Sequence, residues 1–187
     1  MSIPQWDSIT REERHFTAIL FAELRRDARP LWNILRGKFG LDESVTVVDV
    51  GFEVCMFRDL IHAGLIERST DVMRRRKQTF DFVLTLSNQS LVLIEAKAHE
   101  CFGLDQLDRM EKAKGILLNR PELGIHNVYL AGLCSSEYNP QNVKKGYEDF
   151  KLFTWEVLAG LYPQISPYLK RADEIYNLPA TTYSALH

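Results

Sequence analysis

The stretch from Phe80 to Lys97, FDFVLTLSNQSLVLIEAK, most constrains the fold because it places charged side chains inside two apolar runs with a β-strand pattern. One run carries Asp81 at its start, and the other carries Glu95 and Lys97 two residues apart at its end. A charged side chain is costly to bury unless it is paired or binds a metal. Three such residues on one predicted hairpin therefore indicate a functional site.

Strand periodicity decides which of these side chains can meet. Side chains alternate across a strand, so Glu95 and Lys97 point to the same face. Asp81 joins that face only if the connecting turn has an odd number of residues or contains a bulge. A three-residue loop at 87–89 would pair Asp81 directly with Glu95, whereas an even loop would place them on opposite faces.

Two facing carboxylates repel one another unless a positive charge lies between them. A divalent cation would supply that charge, and oxygen ligands from Asp81, Glu95 and the Ala96 carbonyl suit Mg²⁺ or Mn²⁺. Such an ion polarises a phosphodiester and lowers the pKa of a bound water. Lys97 would orient that water or stabilise charge that develops on the phosphate. These residue types predict metal-assisted hydrolysis of a phosphodiester.

Composition limits the fold and the partners that this site can have. The chain has 187 residues, of which 45% are hydrophobic, so we expect one mixed α/β domain over residues 1–187 with its core at about 52–157. The net charge of −2 means that any nucleic-acid contact must come from a local patch. Three scattered cysteines predict free thiols rather than a zinc site. The lack of a signal-peptide core or membrane-length apolar run predicts a cytoplasmic protein without membrane contact.

Apolar periodicity predicts the elements around the hairpin. Helices are expected at about 8–27 with Ser8 or Thr10 as the N-cap, 31–39, 52–63, 103–118, 142–150 and 168–176. Strands are expected at 45–50 (alternatively the lead into a helix), 80–86, 91–96, 127–133 and 153–157. The polar and basic run at 65–77 is expected to contain an exposed or edge strand.

The pattern of Asp81, thirteen intervening residues and then Glu95-Ala96-Lys97 resembles the PD-(D/E)XK nuclease superfamily, which has the restriction-endonuclease-like fold. The resemblance covers about residues 52–133 and implies an α/β fold with an α-β-β-β-α-β core, a mixed sheet and extra N- and C-terminal helices. The chain departs from the family motif because Thr79-Phe80 precede Asp81 where a proline would stand. That proline is not required for the chemistry.

The resemblance also implies further site residues. Some members have an acid on a helix ahead of the hairpin, and we rank Glu53 first for this metal-ligand role, ahead of Glu13 and Glu23. Many members have a glutamine on the helix after the hairpin that helps position the site, and Gln106 stands there. The structural alternatives are an ion pair with Arg58 or a solvent position for Glu53, and a helix-start polar role for Gln106.

The densest basic run leads directly into the first strand of the hairpin, and it consists of Arg74, Arg75, Arg76 and Lys77. These side chains would bind nucleic-acid phosphates near the site, or alternatively form a charged edge that prevents strand pairing.

The sequence therefore predicts a metal-dependent nucleic-acid phosphodiesterase, with endonuclease action on DNA expected. Asp81 and Glu95 would hold the cation, and Lys97 would assist the nucleophilic water. The alternative is a non-catalytic interaction or nucleic-acid-binding protein that retains the nuclease fold. The sequence leaves open whether the chain acts as a homodimer or as a subunit of a larger assembly.

Overall fold

Five strands form one mixed sheet with helices on both faces in the computed structural model, which describes residues 12–75, 77–139, 143, 147 and 149–177. This agrees with the predicted α/β class. The described helices are α1 (Glu13–Arg26), α2 (Arg29–Phe39), α3 (Met56–His62), α4 (Thr70–Arg75), α5 (Leu104–Leu118), α6 (Trp155–Leu161) and α7 (Ser166–Glu174). The strands are β1 (Val47–Val54), β2 (Phe80–Leu86), β3 (Ser90–Ala96), β4 (Asn127–Cys134) and β5 (Phe150–Thr154). No helix among the described residues has the length and apolar character needed to span a membrane.

The strands lie in the sheet in the order in which they occur in the chain. The pairs β1–β2 and β2–β3 are antiparallel, whereas β3–β4 and β4–β5 are parallel. A parallel pair needs a crossover connection, and α5 forms it between β3 and β4. The chain therefore returns to the same end of the sheet after the hairpin and places α5 over one face.

The β2–β3 hairpin has a three-residue loop at 87–89, which is the condition under which Asp81 and Glu95 share a face. Phe82 lies opposite Ile94 in the ladder. Continued by one residue, this register sets Asp81 opposite Glu95. Both side chains therefore lie on the same face of the sheet.

Two apolar cores flank the sheet. One contains Phe16, Trp32 and Trp155 and is covered by α1, α2, α6 and α7. The other contains Val83 and Leu93 of the hairpin and is covered by α3, α4 and α5. Since Val83 and Leu93 alternate in phase with the two acids, the acids lie on the α3–α5 side of the sheet.

The predicted helix at 52–63 is wrong at its start, because β1 continues to Val54 and α3 begins only at Met56. Phe52 pairs with β2 and stacks on Phe21 of α1, with ring centroids 5.0 Å apart. Packing of this aromatic side chain on the sheet outweighs the helical spacing of the local sequence.

The predicted exposed or edge strand at 65–77 is also wrong, because α4 occupies the middle of this run. The Ser69 carbonyl accepts the Met73 N–H at 2.9 Å, and Val72 is fully buried in the second core. One buried anchor thus holds a polar helix against the sheet, and the charged-edge alternative for the basic run is excluded for Arg74 and Arg75.

Several predicted boundaries are close to those observed. The helices predicted at 31–39, 103–118 and 168–176 are confirmed within two residues at each end. The strand predicted at 153–157 begins earlier, at Phe150, and ends where Thr154 caps α6 by accepting the Val157 N–H at 3.2 Å. The proposed caps Ser8 and Thr10, and most of the helix predicted at 142–150, lie outside the described residues.

Substitution of Gly132 by alanine is expected to destabilise the fold. Gly132 lies opposite Glu95 in the β3–β4 ladder, and a Cβ there would lie 2.6 Å from the Phe150 ring and 2.7 Å from the Phe102 ring. We expect a loss of about 1–3 kcal/mol in the free energy of unfolding, measured with urea. Gly160→Ala on α6, where a Cβ meets nothing within 4 Å, is the matched control and should stabilise the chain or leave it unchanged. An equal effect at both positions would contradict this account.

Candidate active site

Asp81 and Glu95 meet at the end of the β2–β3 hairpin. The Ala96 N–H donates a hydrogen bond of 2.7 Å to Asp81 Oδ2, so the backbone of one strand fixes the carboxylate of the other. Asp81 thus accepts from the partner strand rather than from backbone next to it in the sequence. The same bond orients its carboxylate towards Glu95.

Lys97 lies between two carboxylates. Its Nζ is 3.4 Å from Glu95 Oε1 and 3.3 Å from Glu13 Oε1, and only 11% of its side chain is exposed. The backbone is fixed as well, because the Lys97 N–H donates to the Leu133 carbonyl at 2.7 Å and Trp155 Nε1 donates to the Lys97 carbonyl at 2.9 Å. Contacts at the ammonium group and at the backbone therefore both fix the position of Lys97.

The acid that α1 contributes to this cluster is Glu13. Besides its ion pair with Lys97, Glu13 Oε2 accepts the Ala98 N–H at 2.8 Å. This bond joins the first described helix to the residues that follow β3. The sequence favours Glu53 over Glu13, because a glutamate in a first helical turn is common on any helix. Its distance of 84 residues from Lys97 gave no local signal.

Glu53 does not lie on a helix, so the reason for ranking it first is wrong. It lies on β1, where its φ is +48°, and its carboxylate is paired with Arg14, whose Nη2 is 2.9 Å from Oε2. The alternative ion pair with Arg58 is also wrong, because Arg58 pairs with Asp59. The role of Glu53 as a metal ligand stays a prediction.

Gln106 reaches the cluster from the first turn of α5. Its Nε2 donates to Glu95 Oε1, the oxygen that also receives Lys97. The amide is half-buried at the sheet, in agreement with the predicted position beside the acids. Glu95 Oε1 thus accepts from both the Gln106 amide and the Lys97 ammonium, which together orient the carboxylate.

Burial changes the protonation of the two acids. It raises the pKa of Asp81 to about 6, against the hydrogen bond from Ala96. Burial, together with the neighbouring Asp81, raises the pKa of Glu95 to about 8. Burial lowers the pKa of Lys97, but Glu13, Glu95 and Asp81 outweigh it, so the net shift is upward. The site thus favours added positive charge near the acids.

The donor set fits a hard divalent cation in part. Among the described residues, no group of three or more His, Cys, Asp or Glu side chains is arranged to hold a metal ion. Asp81 and Glu95 supply carboxylate oxygens from two residues. Mg²⁺ is often bound by one or two carboxylates, with waters and substrate phosphates completing its octahedron. Two carboxylates from the protein therefore lie within the range that Mg²⁺ accepts.

The chain matches no protein-family model, no curated protein and no solved structure. Its function is therefore inferred from the site's own residues and from the surface beside them.

A cavity of about 310 Å³ opens beside Glu95 and Gln106. Its cationic lining includes three residues of the predicted basic run and one from α5: Arg74, Arg75, Lys77 and Arg109. Arg76 lies outside the described residues. Sequence reasoning missed Arg109, although its spacing of three residues from Gln106 on α5 sets both on one side of a helix. The candidate site therefore opens to a strongly basic surface.

Without metal, the free energy of unfolding should fall as the pH rises from about 5 to 8. The raised pKa of Glu95 means that the folded chain holds a proton that the unfolded chain releases above its ordinary pKa of 4.5. That stabilisation is complete below pH 4.5 and is lost as the pH passes about 8. In EDTA, Glu95→Gln should remove the Glu95 part of this loss, which amounts to several kcal/mol by pH 8 at about 1.4 kcal/mol for each pKa unit. The smaller part that comes from the raised pKa of Asp81 should remain.

Urea unfolding at several pH values measures the effect. The exposed Glu156→Gln on α6 is the matched control and should keep the wild-type pH dependence. An identical pH dependence in wild type and Glu95→Gln would contradict the assigned burial of this acid.

Proposed function

We propose that this chain is a metal-dependent nucleic-acid phosphodiesterase, with DNA as the expected substrate. One observation carries the proposal: Asp81, Glu95 and Lys97 converge at one end of the β2–β3 hairpin, and Glu95 lines a cavity whose other charged lining residues are all cations. Buried acids with raised pKa values beside a cleft are typical of functional sites. The order of α1, three antiparallel strands, α5 and β4 supports the finer proposal of a PD-(D/E)XK nuclease fold.

Asp81 and Glu95 would hold Mg²⁺ or Mn²⁺, together with the Ala96 carbonyl. When bound, such an ion polarises the phosphodiester and lowers the pKa of a bound water. Gln106 keeps one oxygen of Glu95 in a fixed orientation, and the Ala96 N–H does the same for Asp81. These contacts hold both carboxylates before any substrate arrives. Glu53 is proposed as a further ligand from β1.

Lys97 would place a positive charge beside the attacked phosphate. Its Nζ donates to both Glu13 and Glu95, so its third proton is free to reach a water or a phosphate oxygen. The fixed backbone of Lys97 means that little conformational freedom is lost when it does so. We assign it to orienting the nucleophilic water and stabilising charge on the phosphate.

A second candidate function is a non-catalytic nucleic-acid-binding protein with the same fold. One observation favours it: the contacts among Glu13, Glu95, Lys97 and Gln106 already pair these groups within the chain. Such a network stabilises a fold without chemistry. The two candidates differ in whether the chain cleaves nucleic acid at all.

Removal of the site charges should abolish metal-dependent cleavage. We expect Asp81→Asn, Glu95→Gln and Lys97→Met each to lower the cleavage rate of a plasmid substrate in Mg²⁺ or Mn²⁺ by about 10²-fold or more, as loss of a group that stabilises the transition state does. Gel analysis of nicked and linear products measures the rate.

Asp49→Asn on β1 and Glu156→Gln on α6 are the matched controls, because these acids lie outside the cluster. Both should cleave at the wild-type rate. Cleavage that survives in the three site variants would exclude this site as its source, and an absence of cleavage in the wild type would favour the non-catalytic candidate.

Glu13 should matter to the reaction through Lys97. Glu13→Gln removes one of the two negative partners of the Lys97 ammonium, and we expect a fall in kcat of about 10-fold or more, as for loss of groups that orient a metal site. The KM should change little, because Glu13 contacts Lys97 and the backbone rather than the cavity lining. A KM change with constant kcat would contradict a positioning role. Glu53→Gln, measured in parallel, tests the ligand proposed from β1.

A further inference from the structure

Three cavities meet along the face of the sheet that α3, α4 and α5 cover. The cavity beside Glu95 shares Lys77 and Thr79 with a second cavity of about 450 Å³ next to α3. It shares Arg75 with a third cavity of about 480 Å³ between α4 and α5. These shared residues make the three cavities one surface, here called the α4–α5 groove, which runs past the candidate active site.

The α4–α5 groove is lined by an excess of positive charge. Its arginine and lysine side chains are Arg58, Arg68, Arg74, Arg75, Lys77, Arg109, Lys112 and Arg120. Two acids, Asp71 and Glu95, lie among its described lining residues. The whole chain has a net charge of −2, so this positive surface is local. Such a surface attracts a polyanion.

Most of these cations have no acidic partner, although Arg109 Nε donates to the Asp105 carbonyl of its own helix at 3.1 Å. Within the part of the chain that the structure describes, no ion pair involves the groove's Arg68, Arg74, Arg75, Lys77, Arg109 or Lys112. Across the sheet, the arginines of α1 and α2 are paired: Arg14 with Glu53, Arg25 with Asp49, Arg26 with Glu23, Arg29 with Asp27 and Arg36 with Glu43. The unpaired cations are therefore concentrated where an external anion would reach the site.

The described lining of the groove favours a duplex over a single strand, because it lacks large aromatic side chains. Among its described lining residues there is no Phe, Tyr or Trp. Proteins that bind single strands commonly stack the bases on aromatic side chains, each stack contributing about 1–3 kcal/mol. A duplex keeps its bases stacked on one another and presents phosphates, which lysine and arginine bind without reading sequence.

We propose that the α4–α5 groove binds the phosphate backbone of a nucleic-acid duplex, independently of sequence, and so sets one strand beside Glu95. The inference rests on the proposed function, because it names the form of substrate that the same site would take. The positive side chains on either side of Glu95 would contact phosphates on both sides of the scissile bond.

Binding without metal separates this proposal from catalysis. In EDTA, fluorescence anisotropy would compare a short labelled DNA duplex, one of its strands alone and an RNA duplex of the same sequence. The wild type should bind the duplexes more tightly than the single strand. Arg109→Gln with Lys112→Gln should weaken duplex binding about 10-fold and reduce the slope of log K against log salt by about 2, since each lost phosphate contact lowers it by about 1.

Lys38→Gln with Lys170→Gln is the matched control. Both lysines are exposed, lie on α2 and α7 across the sheet, and form no ion pair among the described residues. This pair should leave duplex affinity and salt slope unchanged, and both double variants should keep the wild-type Tm. Equal weakening by the two pairs, or tighter binding of the single strand, would overturn the proposal.

The remaining outcomes distinguish the groove from the enzyme. Tighter binding of the DNA duplex or of the RNA duplex would show which nucleic acid supplies the phosphates. Either result would support duplex binding by the groove. Duplex binding that depends on Arg109 and Lys112, without any metal-dependent cleavage, would support duplex binding by the groove and contradict the proposed enzymatic activity. Cleavage that requires Glu95 but not the groove cations would support the proposed activity and overturn the proposal that the groove binds the duplex.

Discussion

The hydrogen bond from the Ala96 N–H to Asp81 is the interaction on which the candidate site depends. It joins the two strands of the hairpin at the point where their acids face each other, and it exists only because the loop at 87–89 is odd. Gln89 makes that loop possible by adopting a φ of +60°, and its N–H closes the turn on the Leu86 carbonyl at 3.0 Å. One left-handed residue thus sets the register that brings two repelling carboxylates together.

The second constraint is that these carboxylates are buried on the side of the sheet that the cationic helices cover. Burial makes their negative charge costly, while α4 and α5 bring unpaired positive charge to the same opening. A cation or a phosphate would each relieve part of this imbalance. The two proposals are therefore linked by charge: the first assigns a positive ion to the acids, and the second assigns a negative polymer to the groove.

The sequence predicted the hairpin and the shared face of Glu95 and Lys97, because strand periodicity is a local property. It made the position of Asp81 on that face conditional on an odd loop, which the structure has. The position of Gln106 beside the acids came from the family resemblance. The sequence did not predict that Phe52 belongs to a strand, because only its contact with Phe21 of α1 decides between strand and helix there. For the same reason the ranking of Glu53 over Glu13 could not be decided locally. Their positions depend on how α1 packs against β1, which no short window of sequence contains.

The contacts of Lys97 determine when the cluster can form during synthesis of the chain. Glu13 lies 84 residues before Lys97, and Trp155 lies 58 residues after it. A ribosome that has released the hairpin has therefore not yet released the indole that fixes the lysine backbone. The cluster can be complete only after most of the chain has been synthesised and both sides of the sheet have packed. Under the proposed function, a chain that ends before Trp155 would therefore lack the complete cluster and would not cleave nucleic acid.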